Sequence, residues 1–210
     1  MDKKYSVIVF DLGNVLLPFG YHGMIEKLEQ VEAGLGKRFA DFYKNNYDIH
    51  RKFERGGYSE AEFTEILLNI LDNKISRENF YSIYSNIFSV NERLIGVLPS
   101  LKKNYQLVLM SNTNAIHRKY GWGNYEFFKY FDKLVLSYEV GAVKPDEKIY
   151  KAVEAFTQKS SQEHFFIDDI LEYVMAAKQL GWDGVQFVSN EKLFEDFSSR
   201  GIKWNDGTVK

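Results

Sequence analysis

The sequence predicts an α/β protein: a parallel sheet layered between helices, with an all-helical unit inserted after the first strand. Three observations carry this. Short apolar runs at residues 7–10, 105–110, 134–136, 165–167 and 185–188 end in polar or turn-forming residues. Strand and helix patterns alternate after residue 94, and right-handed crossovers turn such alternation into a parallel sheet. Residues 21–88, by contrast, show only helical spacing.

Val7-Ile8-Val9-Phe10 is bounded by Asp11 and by the turn formers Gly13 and Asn14, the pattern of a central parallel strand buried on both faces. Asp11 then stands at its carboxyl end, where open α/β sheets keep their chemistry. An aspartate before Gly-Asn is equally a turn cap, and this stretch alone leaves both readings open. In the helical unit, Met24, Ile25, Leu28 and Val31 recur at three and four, as do Phe63, Ile66, Leu67, Ile70 and Leu71. Ser59 with Glu62 reads as a capping box, and residues 73–76 as a turn before a helix carrying Phe80, Ile83, Tyr84 and Ile87. Residues 94–103 are helical, bent or started late by Pro99.

The second strand runs into Ser111-Asn112-Thr113-Asn114. The aromatic cluster after it, from Tyr125 to Phe131, is packing, and Trp122 is a candidate for the interface with the helical unit. After the third strand, Gly141 and Lys144-Pro145 lead into a helix with Ile149, Ala152, Val153 and Phe156 on one face. The fourth strand ends in Asp168-Asp169, and a helix through Val174, Ala177 and Leu180, stopped by Gly181, reaches the fifth. Asn205-Asp206-Gly207 reads as a frayed end. Residues 1–17 and 91–210 form the sheet domain and 18–90 the helical one, which leaves the sheet beside Asp11 and is placed to cover it as a cap.

Composition narrows the function. With 27 Lys+Arg against 29 Asp+Glu, a net charge of -2 gives no electrostatic grip on nucleic acid or an anionic membrane. The absence of cysteine excludes disulfides, thiolate metal sites and thiol nucleophiles, and four histidines without paired helical spacing argue against a histidine metal site. Any metal is therefore a hard cation on oxygen. Lys3-Lys4 precedes an apolar run that Asp11 and Asn14 interrupt, so neither a secretory signal nor a membrane span is expected, and the reading is a soluble, cytoplasmic protein.

The strand ends deliver a coherent set. Asp11 is a candidate nucleophile, Ser111 with nearby backbone N–H groups a candidate oxygen binder, Lys144 a fixed positive charge, and Asp168 with Asp169 a seat for a divalent cation. Phosphoryl transfer needs these parts together, because a carboxylate attacking a dianion is repelled unless the charge is neutralised. Asn14, Asn112 and Thr113 adjoin these ends as candidate substrate contacts. Glu54-Arg55, before Gly56-Gly57, reads either as a solvated turn or as a glutamate and an arginine turned toward substrate.

In this order the motifs resemble the haloacid dehalogenase superfamily of aspartate-nucleophile hydrolases: residues 7–15, 107–114, Gly141-Ala142-Val143-Lys144-Pro145-Asp146, and Phe166-Ile167-Asp168-Asp169. The resemblance implies a Rossmann-like core with a helical cap, an aspartyl-phosphate on Asp11, and Mg²⁺ held by Asp11, the Gly13 carbonyl and the acidic pair, chiefly Asp169. It implies a phosphatase of small phosphorylated metabolites, sugar phosphates favoured, acting as a monomer or weak homodimer. A subset with Asp-Leu-Gly-Asn-Val and Ser-Asn-Thr-Asn, including phosphatases of the α-glucose-1-phosphate type, is similar to this chain.

Two positions depart from that pattern. Most phosphatases of the family carry a general acid–base aspartate where this chain has Gly13, and such help is worth about 10²- to 10⁴-fold. Glycosyl phosphates, whose leaving groups need less protonation, suit the glycine. Tyr173 lies near the place of a frequent asparagine. The alternatives are a binder of phosphorylated ligands without turnover, a phosphomutase, which needs tight acid–base control, and a metal-free dehalogenase, which the acidic pair does not suit.

Overall fold

The computed structural model describes residues 4–205. Four buried apolar residues make β1 (Val7–Phe10), and their alternation decides the layering. Ile8 and Phe10 pack with Leu107, Leu109, Phe165 and Ile167 on one face, while Val7 and Val9 pack with Val108, Met110, Phe166 and Trp182 on the other. In parallel on either side of β1 lie β2 (Gln106–Ser111) and β4 (His164–Asp168). With β3 (Lys133–Leu136) and β5 (Asp183–Gln186) they form a five-stranded parallel sheet in the order β3-β2-β1-β4-β5. The chain runs outward from β1 through β2 to β3 and then crosses back to β4, so the strand order reverses at β1 and opens a crevice at its carboxyl end. Asp11 is the first residue past that end.

Between β1 and β2 come α1 (His22–Val31), α2 (Leu35–Asn45), α3 (Tyr47–Glu54), α4 (Glu60–Ile70) and α5 (Arg77–Ser85). Their apolar stripes meet one another rather than the sheet: Met24, Leu28, Phe39, Phe53, Phe63 and Phe80 share a separate core. Phe53 lies flat on Phe63 with ring centres 4.0 Å apart. The capping box opens α4, with the Glu62 N–H donating to Ser59 Oγ at 3.2 Å and the Ser59 N–H to Glu62 Oε2 at 2.8 Å. The two segments joining this unit to the sheet pair with each other, the Gly20 N–H donating to the Ile87 carbonyl at 3.1 Å and the Ser89 N–H to the Pro18 carbonyl at 2.8 Å. The turn after α3 lands on the far side of the crevice. Gly56, at a φ of 72°, approaches Tyr138 so closely that a Cβ would stand 2.4 Å from its carbonyl oxygen.

Residues 94–103 are not one helix. Two short helices, α6 (Glu92–Ile95) and α7 (Leu98–Lys102), flank Gly96-Val97, and Pro99 sits in the first turn of the second, where its missing N–H leaves no bond unmade. The crossovers carry α8 (Ser137–Val140), α9 (Glu147–Thr157) and α10 (Leu171–Gln179). The last strand begins two residues before the expected 185–188, with Asp183 beside Phe165 and Gln186 beside Asp168. An edge strand takes its register from its single neighbour, so its apolar residues mark its ends poorly. Elements without a sequence expectation include α8, a π-helical turn at His117–Trp122, and α11 (Asn190–Ser199), whose Leu193, Phe194 and Phe197 join the core. Of the expected frayed end, residues 206 and 207 lie outside the described residues. No helix among the described residues is long and apolar enough to cross a membrane.

Gly56→Ala is expected to lower the urea midpoint by the equivalent of about 2 kcal/mol, through strain at positive φ and the clash with Tyr138. Gly23→Ala, in α1 with no atom within 4 Å of the added methyl, is the control and should stabilise by up to about 1 kcal/mol.

Candidate active site

The Asp11 N–H donates to the Ile167 carbonyl at 2.9 Å, which fixes the carboxylate where β1 and β4 end together. Lys144, 1% exposed, reaches it from the loop after α8, with Nζ 2.7 Å from Asp11 Oδ1 and 2.5 Å from Asp168 Oδ2. The lysine backbone is held by Asn112: Oδ1 accepts from the Lys144 N–H at 2.7 Å and Nδ2 donates to the Lys144 carbonyl at 3.2 Å. Arg51 of α3 adds Nη2 to the same carbonyl at 3.0 Å, so the inserted helices and the sheet share one anchoring point. Asn14, at a φ of 53°, donates to Asp169 Oδ2 at 3.2 Å and ties the loop after β1 to the loop after β4.

Burial is the largest influence on both buried aspartates and raises them, Asp11 to about 7, against the opposing pull of Lys144. Burial also works against the ammonium, but the two carboxylates outweigh it and hold Lys144 above the usual lysine value. Oxygens of Asp11, Asp168 and Asp169 lie within 4.8 Å of one another. When all are ionised, three carboxylates against one ammonium leave an excess of two negative charges, which a divalent cation neutralises. Hard carboxylate donors of this kind suit Mg²⁺. Gly13, the other expected ligand, lines the same cleft of ≈ 120 Å³ together with Arg51, Glu54 and Tyr173.

Beyond Gly13 and Glu54 the cleft continues into an inner cavity of ≈ 100 Å³, walled by Ser111, Thr113, His117 and Trp122 from the sheet side and by Tyr21, Tyr43 and His50 from the helices. Glu54 is buried between the two spaces. Burial pushes its carboxyl upward, but hydrogen bonds and charge from His50 (3.3 Å) and Arg51 (3.0 Å) prevail and hold it below the usual range.

Residues 5–181 match the family described as haloacid dehalogenase-like hydrolase. The chain belongs to this family. A D-ribitol-5-phosphate phosphatase of Bacteroides thetaiotaomicron is 28% identical over 189 residues, covering 85% of this chain and 90% of that protein. A phosphorylated carbohydrates phosphatase of Thermotoga maritima is 27% identical over 188 residues, covering 84% and 82%. Among solved structures, an enzyme of this family from Bacteroides thetaiotaomicron, in complex with magnesium and inorganic phosphate, superposes with a TM-score of 0.76 at 26% identity, covering 90% of this chain and 99% of that one.

In this haloacid dehalogenase-like hydrolase the expected site residues divide. Asp11, Gly13, Asn14, Glu54, Asn112, Lys144 and Asp169 line the cleft, and Asp168 lies fully buried beneath Lys144. Ser111 and Thr113 line the inner cavity instead, and the Thr113 N–H and carbonyl are both taken by the Ser137 hydroxyl, at 2.9 and 3.0 Å. Arg55 is a correction: it is exposed at the end of α3 and lines neither space. Successive helical residues diverge by about 100°, so Arg51, three positions before Glu54, shares its face and the chain neighbour does not. Trp122, expected at the interface with the helices, is fully buried among the sheet's core residues and lines the inner cavity that sheet and helices share. Arg51, His50 and His117 were missed; the spacing of His50, Arg51 and Glu54 was the available signal. Gly13 is not merely bare, since a Cβ there would lie 2.9 Å from Cε1 of Phe19.

Lys144→Met leaves two buried carboxylates without their counter-charge, so unfolding free energy should fall by about 3–5 kcal/mol. Millimolar Mg²⁺ should raise the melting temperature of this variant more than that of wild type. His117, stacked on Tyr84 at 4.4 Å, supplies a second prediction. Burial pushes its pKa down to about 3, so below about pH 6.5 the unfolded chain binds a proton that the native state refuses. Stability is therefore lost as pH falls from 6.5 toward 3. In urea titrations, His117→Phe should lessen the loss between pH 6.5 and 4 by up to roughly 3 kcal/mol.

Proposed function

We propose that this chain is a Mg²⁺-dependent phosphate monoester hydrolase with Asp11 as nucleophile, acting on a small phosphorylated carbohydrate, with residues 18–90 serving as its cap. The observation that carries the reading is the buried ammonium of Lys144 seated between Asp11 and Asp168, with Asp169 completing an acidic trio at the mouth of the cleft. Displacing a halide from carbon calls for no such trio, whereas a phosphate dianion meeting a carboxylate does. Relatives named as a D-ribitol-5-phosphate phosphatase and a phosphorylated carbohydrates phosphatase support the substrate class.

An Asp11 oxygen attacks phosphorus while the bond from phosphorus to the ester oxygen breaks. Water then attacks phosphorus as the bond from phosphorus to the Asp11 oxygen breaks, releasing inorganic phosphate and restoring the carboxylate, and solvent carries a proton to the departed ester oxygen. Asp11, Asp168, Asp169 and the Gly13 carbonyl would hold Mg²⁺, which would neutralise the charge of the incoming phosphate. Lys144 keeps Asp11 aimed and opposes the burial that favours its protonated form, and Ser111, on the wall of the adjoining space, would receive a phosphate oxygen. No side chain at position 13 protonates the departing oxygen, and Glu54, held ionised, is an acceptor rather than an acid. The leaving group therefore departs with little acid assistance.

With Mg²⁺ the purified protein should hydrolyse p-nitrophenyl phosphate, and Asp11→Asn should lower kcat by more than about 10³-fold. Across sugar, sugar-alcohol, nucleotide and amino-acid phosphates, carbohydrate esters should rank first, with hexose 1-phosphates ahead of unactivated alkyl phosphates. Equal phosphate release by wild type and Asp11→Asn would reject the enzyme and leave a binder of phosphorylated ligands.

A further inference from the structure

The peptide that follows Lys144 can be gripped only by its carbonyl, because the next residue is Pro145 and offers no N–H. Two donors share that oxygen, Asn112 Nδ2 at 3.2 Å and Arg51 Nη2 at 3.0 Å. Asn112 follows β2 of the sheet, whereas Arg51 belongs to α3 of the inserted helices. The guanidinium is itself aimed by a buried chain of contacts within those helices. Its Nη1 donates to Glu54 Oε2 at 3.0 Å, His50 Nε2 lies 3.3 Å from Glu54 Oε1, and the Tyr84 hydroxyl of α5 meets His50 Nδ1 at 3.4 Å. A rigid fork of donors suits this bridge between a carboxylate and a carbonyl. Just past α3, Gly56 is pressed against Tyr138 of α8, so the helices dock on the element whose following loop bears Lys144. Arg51 thus carries the placement of α3 and α5 to the backbone from which the buried ammonium springs.

We propose that Arg51 is a positioning residue of the hydrolysis, holding the Lys144 carbonyl so that alignment of the nucleophile depends on docking of the inserted helices. The proposal rests on the phosphatase reading above. A lysine ammonium stands on a flexible four-carbon stem, so its place is only as firm as the backbone beneath it. Nζ meets Asp11 Oδ1 at 2.7 Å and Asp168 Oδ2 at 2.5 Å, and both contacts shift together when that backbone shifts. A misplacement of about 1 Å costs on the order of 10²-fold in rate. Helices that swing away to admit substrate withdraw Arg51 and leave Asn112 to hold the carbonyl, and Asp11 regains its aim when they return. Glu54 balances the guanidinium charge, so Arg51 brings little net attraction for a phosphate dianion into the cleft. Its use is geometric.

The test measures kcat and KM for p-nitrophenyl phosphate, and Ki for inorganic phosphate, in wild type, Arg51→Met and Arg51→Lys, with Mg²⁺ throughout. Each kcat is taken per folded molecule, the folded fraction coming from that variant's urea curve. Arg51→Met should lower kcat by about 10- to 100-fold, the loss of one charge-assisted hydrogen bond, while KM and Ki change by less than about threefold. Arg51→Lys keeps a charge beside Glu54 but lacks the fork, so it should show the same pattern with the helices still folded. Added to Lys144→Met, Arg51→Lys should change the residual rate by no more than about twofold, because a backbone without its ammonium has nothing to aim. An unchanged kcat per folded molecule overturns the proposal and makes Arg51 a structural tie. A rise in KM and Ki with kcat kept also overturns it, because an arginine on the phosphoryl oxygens touches them in substrate and product alike. So does an equal loss with and without the Lys144 side chain. If wild type releases phosphate from no ester, the phosphatase reading fails and this proposal with it, whereas an active wild type matched by its variants overturns the proposal alone.

Discussion

The bond set around the Lys144 ammonium is the constraint on which the rest depends. A lysine and two aspartates taken out of water are each costly, and they are tolerated because each satisfies the others at 2.5–2.7 Å. To bring them together, the sheet must place β1 beside β4 and carry the chain from β3 back across β2 and β1, which is the reversal of strand order that opens the crevice. Asn112, at the end of β2, then grips the lysine backbone from both sides. All the central strand ends are thereby tied to one lysine, and Arg51 brings the inserted helices to its carbonyl.

A second fastening lies on the opposite side of the cavity. The π-helical turn after β2 stacks His117 on Tyr84 and Tyr120 on Tyr81, with ring centres 4.4 Å apart in each pair. Tyr120 also donates its hydroxyl to Glu60 at 3.0 Å. The helices are therefore held at α3 by hydrogen bonds and at α5 by aromatic faces, with the two cavities between. The turn that follows Ser111 both walls the inner space and secures the helices that close it, so the shape of that space and helix docking depend on the same residues.

The parts legible in the sequence were those governed by local pattern. β1, β2 and β4 are buried on both faces and so read as continuous apolar runs, and the capping box at Ser59 and the helix stop at Gly181 are local chemistry. Asp11, Asp168 and Asp169 were legible because each stands at a strand end, and Lys144 because Lys-Pro leads into a helix. Direction was not legible: nothing in Glu54-Arg55-Gly56 says which side chain faces inward until Gly56 is pressed against Tyr138 and the rotation of α3 is fixed. The register of β5 and the π-helical turn were likewise set by neighbours distant in sequence, β4 for the one and α5 for the other.

Phe19 shows why the missing aspartate at position 13 is more than a deletion. Its ring occupies the place where a side chain at 13 would begin, and it is held there against Tyr21 and Phe88 at the paired segments that lead into and out of the helices. Restoring an acid would mean displacing an aromatic that also lines both cavities. Acid help is worth about 10²- to 10⁴-fold, a small part of what phosphate ester hydrolysis demands, and nucleophile alignment with charge neutralisation supplies the larger share. A site that forgoes the acid is freed from placing a carboxyl beside the leaving oxygen. The same volume is filled by an aromatic ring that forms a wall common to the two spaces.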